Sequence, residues 1–355
     1  MNFRLMASAA FLSLAACSQS AENDRQEQVA AAANPELEAL RFADARPSNE
    51  AFQAPPSMIV EVALDRMGFS PGVIDGKPTR LDEQALRGFQ EAKGLPVTGK
   101  LDQQTREILL AGQTEPTRLV TIPEGFAKGP FAPDLPKETS KQAGFDHLSY
   151  RDMTEALAER FHTTPETLGA LNPAGTKLSA GATIRVPNIA PLRLEELDTD
   201  DGAWNRTLAT LGVAARQPRA EKVVVSKSQG TLRAYDAAGK LLAQFPVTTG
   251  SEHDPLPLGN WKINGVSRNP DYHYNPKLFW DVSDNKEDKL LKPGPNGPVG
   301  VAWLDLSKEH YGIHGTSEPA TIGSAESHGC VRLTNWDAAR LAQMVKAGTK
   351  VVFEA

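Results

Sequence analysis

Residues 311–333 read Tyr311-Gly312-Ile313-His314-Gly315-Thr316, then a short loop, then Ser327-His328-Gly329-Cys330-Val331-Arg332-Leu333. An imidazole and a thiol stand sixteen positions apart, each beside a glycine, at the two ends of that loop. An ordinary thiol, with a pKa of about 8.5, is only a few per cent ionised at neutral pH, so a useful nucleophile needs a base or a positive environment next to it. Histidine is the usual supplier. A buried structural cysteine near an unrelated histidine would look the same over so short a span, and the rest of the chain has to decide.

Outward from this stretch the pattern is β. Val223-Val224-Val225, Thr231–Tyr235 and Leu241–Val247 read as strands, with a hairpin turn at Ala237-Ala238-Gly239-Lys240, and Asn260–Val266 reads as a fourth after Pro257-Leu258-Gly259. Trp336–Val345 reads as a helix and Lys350–Phe353 as a closing strand. Residues 267–298 are loop-rich, with Pro270, Pro276, Pro293, Pro295 and Pro298, and carry Tyr272, Tyr274, Phe279 and Trp280. An insertion this long and aromatic is either a lid over a substrate groove or a flap that covers the core.

Together Val247-Thr248-Thr249-Gly250, Pro257-Leu258-Gly259, His314-Gly315-Thr316, Gly323, Ser327–Leu333, Asp337 and Gly348-Thr349 resemble the signature of the L,D-transpeptidase catalytic domain of the ErfK/YbiS/YcfS/YnhG type. The resemblance covers 221–354 and implies a mostly-β fold that cross-links peptidoglycan. It implies that Cys330 attacks the carbonyl of an L-centre in a stem peptide, forms a thioester and expels the terminal D-amino acid. His314 would take the thiol proton, give it to the leaving amine and later deprotonate the acceptor amine. Backbone N–H groups around His328, Gly329 and Cys330 could stabilise the oxyanion, with Gly329 letting the backbone turn closely. Gly315 and Ser327 would help to position the substrate, Ser327 as a loop hydrogen-bond donor. Arg332 either holds a substrate carboxylate or braces the loop, and His328 reads as structural rather than as a second base. No cofactor is implied. A zinc site on His310 and His314 is a poor alternative: a spacing of four serves a helix, whereas Tyr311-Gly312-Ile313 reads as strand, and the chain has no His-Glu-x-x-His and too few cysteines for a zinc cluster.

Upstream, Met58, Ile59, Val62, Ala63 and Met67 recur at helical spacing until Gly68 stops the run. Ala85, Leu86, Phe89 and Gln90 mark a second amphipathic run, and a third starts at Leu101-Asp102, with Asp102 as N-cap, and ends at Gly112. With Gly68-Phe69, Pro71–Gly76, Phe89-Gln90, Gly94–Gly99 and Leu101-Asp102, residues 55–112 are similar to the three-helix peptidoglycan-binding domain. These are turn and core positions, so they identify a fold better than a glycan site. Residues 147–187 resemble a lysin motif, a glycan-binding βααβ module, on Ala156–Phe161, Leu168–Pro173 and Ala180–Pro187; the opening strand is not evident at Tyr150-Arg151-Asp152. Proline-punctuated 113–146 and acidic 188–220 read as linkers.

Residues 1–17 have the layout of a secretory signal, with Arg4 ahead of a short apolar core at Leu5–Ala16. They end in Leu14-Ala15-Ala16-Cys17, which resembles the lipobox of bacterial lipoproteins, so Cys17 is the expected lipidation site. Ser18 in place of an aspartate implies, by the same resemblance, sorting to the outer membrane, and 18–54 reads as a flexible tether with a short helix near Pro35–Phe42. The chain has two cysteines; lipidation of Cys17 would leave Cys330 no second cysteine for a disulfide, as suits a reactive thiol in an exported protein. A net charge of −6 without a basic run argues against a nucleic-acid partner.

The sequence therefore describes a multidomain α+β protein, with a small three-helix domain, a lysin-motif-like module and a mostly-β catalytic domain. The expected activity is peptidoglycan L,D-transpeptidation in the periplasm by an enzyme anchored through Cys17, with stem peptides and glycan as partners. The acceptor stays open between another stem peptide, a lipoprotein lysine and a free D-amino acid. Water as acceptor would make it an L,D-carboxypeptidase, and a non-enzymatic wall-binding lipoprotein is the alternative of another class. An intact His314/Cys330 pair favours an enzyme.

Overall fold

The computed structural model describes residues 34–46, 52–112, 115–275, 288–325 and 329–355; Cys17, Phe279, Trp280, Ser327 and His328 lie outside them. Helices α1 (Met58–Arg66), α2 (Arg80–Ala92) and α3 (Gln103–Leu109) form the N-terminal bundle. Thr79 and Asp82 close a capping box at the start of α2, and the Asp102 carboxylate accepts the Thr105 N–H at 2.9 Å as the N-cap of α3. The loop between α2 and α3 is held from inside by Gln90. Its amide donates to Thr98 Oγ1, the Lys100 carbonyl and Thr105 Oγ1, and accepts from the backbone N–H groups of Thr98 and Gly99. An apolar residue at 90 would remove five hydrogen bonds, which is why Phe89-Gln90 and Thr98-Gly99 read as parts of one motif.

Strands β1 (Ala43–Asp44), β2 (Thr117–Thr121) and β3 (Thr183–Pro187) form an antiparallel sheet in that order. Between β2 and β3 lie α4 (Met153–Arg160), capped by Asp152, and α5 (Pro165–Leu171), capped by Thr164. The succession is β–α–α–β, and its opening strand comes from 117–121, well upstream of Tyr150-Arg151-Asp152. Three stretches differ from the sequence reading. Residues 113–146 are no simple linker, because they contain β2 and bury Val120, Ile122, Phe126 and Leu135; the prolines punctuate loops around a strand. Residues 188–220 contain α6 (Gly202–Leu211), whose Trp204, Leu208 and Leu211 share one buried face that the acidic run obscures. The described part of the tether, 34–46, carries the expected short helix at Pro35–Glu38 but is no free tether, since it buries Leu37 and Leu40 and pairs through β1.

The C-terminal half contributes β4 (Lys222–Ser226), β5 (Thr231–Tyr235), β6 (Leu241–Pro246), β7 (Gly259–Arg268), β8 (Tyr272–Tyr274), β9 (Lys289–Leu291), β10 (Ala302–Leu306), β11 (Gly312–His314), β12 (Val331–Arg332) and β13 (Lys350–Glu354). Apart from the β8–β9 hairpin, they make one sheet in the order β12-β11-β10-β7-β13-β4-β5-β6. Neighbours are antiparallel except for β11/β12 and β13/β4. Helix α7 (Asn335–Met344), buried along almost its whole length, packs on β10 and β11. The β6 edge does not face solvent. The Ser70 N–H donates to the Gln244 carbonyl at 2.9 Å and the Gln244 N–H to the Gly68 carbonyl at 3.0 Å, so the segment after α1 closes that edge. Gly88 lets α2 approach: a Cβ there would lie 2.7 Å from Gln244 Oε1.

A buried ionic cluster ties the modules together. Arg340 on α7 grips Asp65 on α1 with two hydrogen bonds, at 2.8 and 3.0 Å, and reaches Asp337 at 3.2 Å. Ser70 donates to Asp337 at 2.6 Å. His162, just after α4, places Nδ1 3.1 Å from Asp65 and Nε2 2.9 Å from the Leu211 carbonyl, and stacks on Trp336 with ring centroids 5.0 Å apart. The bundle, the βααβ unit and the catalytic sheet thus meet on one set of charges.

Candidate active site

Strands β11 and β12 run parallel, with Ile313 beside Val331 and His314 beside Arg332. Cys330 stands immediately ahead of β12, close enough to β11 for a backbone hydrogen bond at Gly312. A Cβ on Gly312 would meet the Trp303 indole at 2.4 Å, and that indole stacks on the His314 ring with centroids 5.5 Å apart. Cys330 is half-buried, with Sγ 4.0 Å from the His310 carbonyl oxygen. The turn that delivers it passes through Gly329 at φ +97°, where a Cβ would also lie 2.8 Å from the Tyr311 ring; both backbone and space call for glycine there. On its other side β12 is tied to Thr248, the Arg332 N–H donating at 2.9 Å and the Thr248 N–H at 3.1 Å.

His314 is buried. Its Nδ1 lies 2.7 Å from the Gly315 carbonyl oxygen, which can only accept, so Nδ1 carries the proton and Nε2 is the basic nitrogen. Gly315 is therefore placed to orient the imidazole, a role distinct from the substrate positioning expected of it. His310 sits in a turn at φ +65° ahead of β11, with Nε2 3.5 Å from Glu309, and does not pair with His314 across a helical turn.

Burial lowers the His314 pKa to about 3, and the Arg332 guanidinium acts in the same sense against the Gly315 hydrogen bond. Burial pushes the Cys330 thiol up, while a backbone hydrogen bond at Gly312 and the Arg332 charge favour its thiolate. Both groups are neutral in the resting site at neutral pH. The sequence suggested histidine as the source of a positive environment; the structure offers a neutral base, and the positive charge acting on the thiol comes from Arg332.

The described part of the insertion covers a core, the second of the two roles open to it. Tyr274 on β8 and Leu291 on β9, whose strands pair with Tyr272 beside Leu291 and Tyr274 beside Lys289, bury against Leu135 and Leu148. Tyr272 packs on the same cluster, and its phenol is pushed up to about 12 by burial and by the nearby Cys330. Trp303 and Asn335 were not legible as site residues; Trp303 looks like any aromatic in an alternating strand, and Asn335 like a helix-start residue.

Residues 220–353 match the L,D-transpeptidase catalytic domain family of the YkuD type, and residues 55–109 match a peptidoglycan-binding domain family. The protein named L,D-transpeptidase YkuD in Bacillus licheniformis is 32% identical over 199 residues, covering 56% of this chain and 90% of that protein. Its Bacillus subtilis namesake is 58% identical over 112 residues, covering 32% of this chain and 53% of that one. The protein named L,D-transpeptidase YbiS in Escherichia coli is 29% identical over 137 residues, covering 38% and 44%. Among solved structures, L,D-transpeptidase 3 from Mycobacterium tuberculosis with a faropenem-derived adduct is similar at 18% identity and a TM-score of 0.32, covering 38% of this chain and 60% of that one. With a catalytic domain of this type behind a peptidoglycan-binding domain, and nine-tenths of a relative matched, the chain belongs to the L,D-transpeptidase family of acyltransferases.

Proposed function

We propose that this chain is a peptidoglycan L,D-transpeptidase working through a Cys330 thioester. Sγ attacks the carbonyl of an L-centre in a stem peptide while His314 Nε2 takes the thiol proton. The C–S bond forms, the bond to the terminal D-amino acid breaks, and the same proton passes to the departing amine. An amine of a second stem peptide then attacks the thioester, gives its proton to Nε2, and Sγ leaves to be reprotonated. Backbone N–H groups at 328–330 stabilise the oxyanion, and Arg332 holds a substrate carboxylate. What supports this best is the neutral imidazole of His314, fixed in its Nδ1–H form by Gly315, on the strand beside the one that Cys330 leads into. Export, lipidation at Cys17 and residence at the periplasmic face of the outer membrane belong to the same proposal.

Incubation with a disaccharide-tetrapeptide, read by mass, tests the reaction. Release of D-alanine with formation of a cross-linked dimer is expected, and both should vanish in Cys330→Ala. Release that survives in Cys330→Ala would sink the thioester. Release without dimer assigns water as the acceptor, and sedimentation with sacculi without any release assigns a binder. Membrane fractionation of Cys17→Ser, expected in the soluble fraction, tests the anchor.

A further inference from the structure

Glu159 lies on α4, in the module ahead of the catalytic sheet, and no step of the reaction uses it. Its buried carboxyl group faces Asn335 Nδ2, at 3.1 Å from each oxygen, and accepts the Tyr150 hydroxyl at 2.9 Å. Burial raises the carboxyl to about 8 against these two hydrogen bonds. Asn335, fully buried at the start of α7, is held on both sides: Nδ2 also donates to the Pro295 carbonyl at 3.0 Å, and Oδ1 accepts the Val301 N–H at 3.2 Å. Its Oδ1 fills the space where Cβ atoms on Gly300 and Gly315 would stand, 2.0 and 2.3 Å away. The Gly315 backbone pressed there is the one whose carbonyl accepts the His314 Nδ1–H.

We propose that Glu159 is a positioning residue for the reaction: through Asn335 it holds the Gly315 backbone and thereby the Nδ1–H tautomer of His314. The inference rests on His314 acting as the base. It makes the βααβ unit part of the catalytic apparatus, since a side chain on its helix sets which imidazole nitrogen is free.

The test reads the tautomer directly, by long-range ¹⁵N–¹H spectra of histidine-labelled protein, beside kcat and KM on the tetrapeptide substrate. Wild type should show a pure Nδ1–H pattern for His314. Glu159→Ala should show a mixture and lose about tenfold in kcat at unchanged KM, the order expected of a slightly misplaced catalytic group. Glu159→Gln, which keeps a carbonyl acceptor for Asn335, should stay within about twofold of wild type. Should Glu159→Ala fail to fold, Asn335→Asp serves, because it keeps the acceptor for Val301 and removes the donor to Glu159 and to the Pro295 carbonyl, of which only the first is restored in the double variant. Adding Glu159→Gln to it exchanges donor and acceptor across the pair and should recover at least half of the lost kcat. A folded Glu159→Ala or Asn335→Asp with a pure Nδ1–H pattern and wild-type kcat overturns the proposal, as does a double variant no better than Asn335→Asp. Failure of the thioester reading would show instead as activity in Cys330→Ala, with the tautomer pattern unaffected.

Discussion

Replacing Arg340 with methionine keeps the apolar stem and removes the guanidinium that faces two buried carboxylates. Asp65 is fully buried and takes two hydrogen bonds from it, at 2.8 and 3.0 Å, and Asp337 takes one at 3.2 Å. Removing one partner of a buried ion pair costs about 3–5 kcal/mol. Two carboxylates are stranded here, yet each keeps another partner, His162 for Asp65 and Ser70 for Asp337, so the loss should stay near about 4 kcal/mol rather than doubling. The pH dependence carries a sign. Burial raises the Asp65 pKa, but the charges of Arg340 and His162 outweigh it and hold the carboxyl below its ordinary value. In wild type its contribution is therefore complete above the ordinary aspartate value of about 3.9 and is lost as pH falls through the folded pKa. Burial already lifts the Asp337 carboxyl in wild type against the Arg340 charge; without the guanidinium it lifts Asp337 further and raises Asp65 as well, so the deficit of the variant grows as pH rises above about 4. Urea unfolding followed by tryptophan fluorescence at pH 5 and pH 8 measures both effects. Equal midpoints for variant and wild type at pH 8, or a deficit the same at both pH values, would refute the reasoning.

The remaining expectations concern the site and its frame. Gly329→Ala must hold φ near +97° and push Tyr311 aside, so kcat should fall at least tenfold, with about 1–3 kcal/mol of backbone strain in the unfolding free energy; unchanged kinetics would deny the turn its role. Because the His314 pKa is lowered to about 3, its basic form persists well below the ordinary 6.5, and kcat/KM should show no acid limb from this group between pH 5 and 7; a limb there that follows His314 would contradict the assignment. Arg332→Met should move the His314 ionisation upward and also raise the thiol, which thiol-alkylation rates against pH would record as slower reaction at neutral pH. Residues 221–354 expressed alone should be insoluble or self-associated, since the cut exposes the Gln244 edge and leaves Asp337 and Arg340 without Asp65; a soluble, active monomer would count against the shared core.

The site was legible where chemistry leaves a local mark. His314, Gly315, Gly329, Cys330 and Arg332 lie in two short runs, and a thiol, an imidazole and glycines at fixed offsets can be recognised without knowing the fold. Gln90 was legible in the same way, as one end of a motif. The reach of Glu159 to Asn335, or of Asp65 to Arg340, had no such mark, because each joins segments far apart in sequence and a buried acid on an amphipathic helix looks like a solvated one. The linkers misled for a different reason. Prolines and acids between 113 and 220 dilute the apolar periodicity that marks a helix or strand, yet Val120 and Trp204 are buried by partners that lie elsewhere in the chain.

These long-range contacts change what the accessory modules can be. One apolar core runs from Met58 and Val62 through Phe161 and Trp204 to Trp336 and Phe353, so the N-terminal modules are mounted on the catalytic sheet rather than strung ahead of it. A module on a flexible linker raises only the local concentration of whatever it binds. A module mounted rigidly also sets direction and distance, which counts for more when the reacting carbonyl must meet a thiol in a narrow range of geometries. If the bundle and the βααβ unit grip glycan, the stem peptides presented to Cys330 are those standing at one fixed offset along the strand. On the proposed mechanism the Glu159–Asn335 contact extends the same logic inward, from where the substrate lies to which nitrogen of His314 would receive the proton.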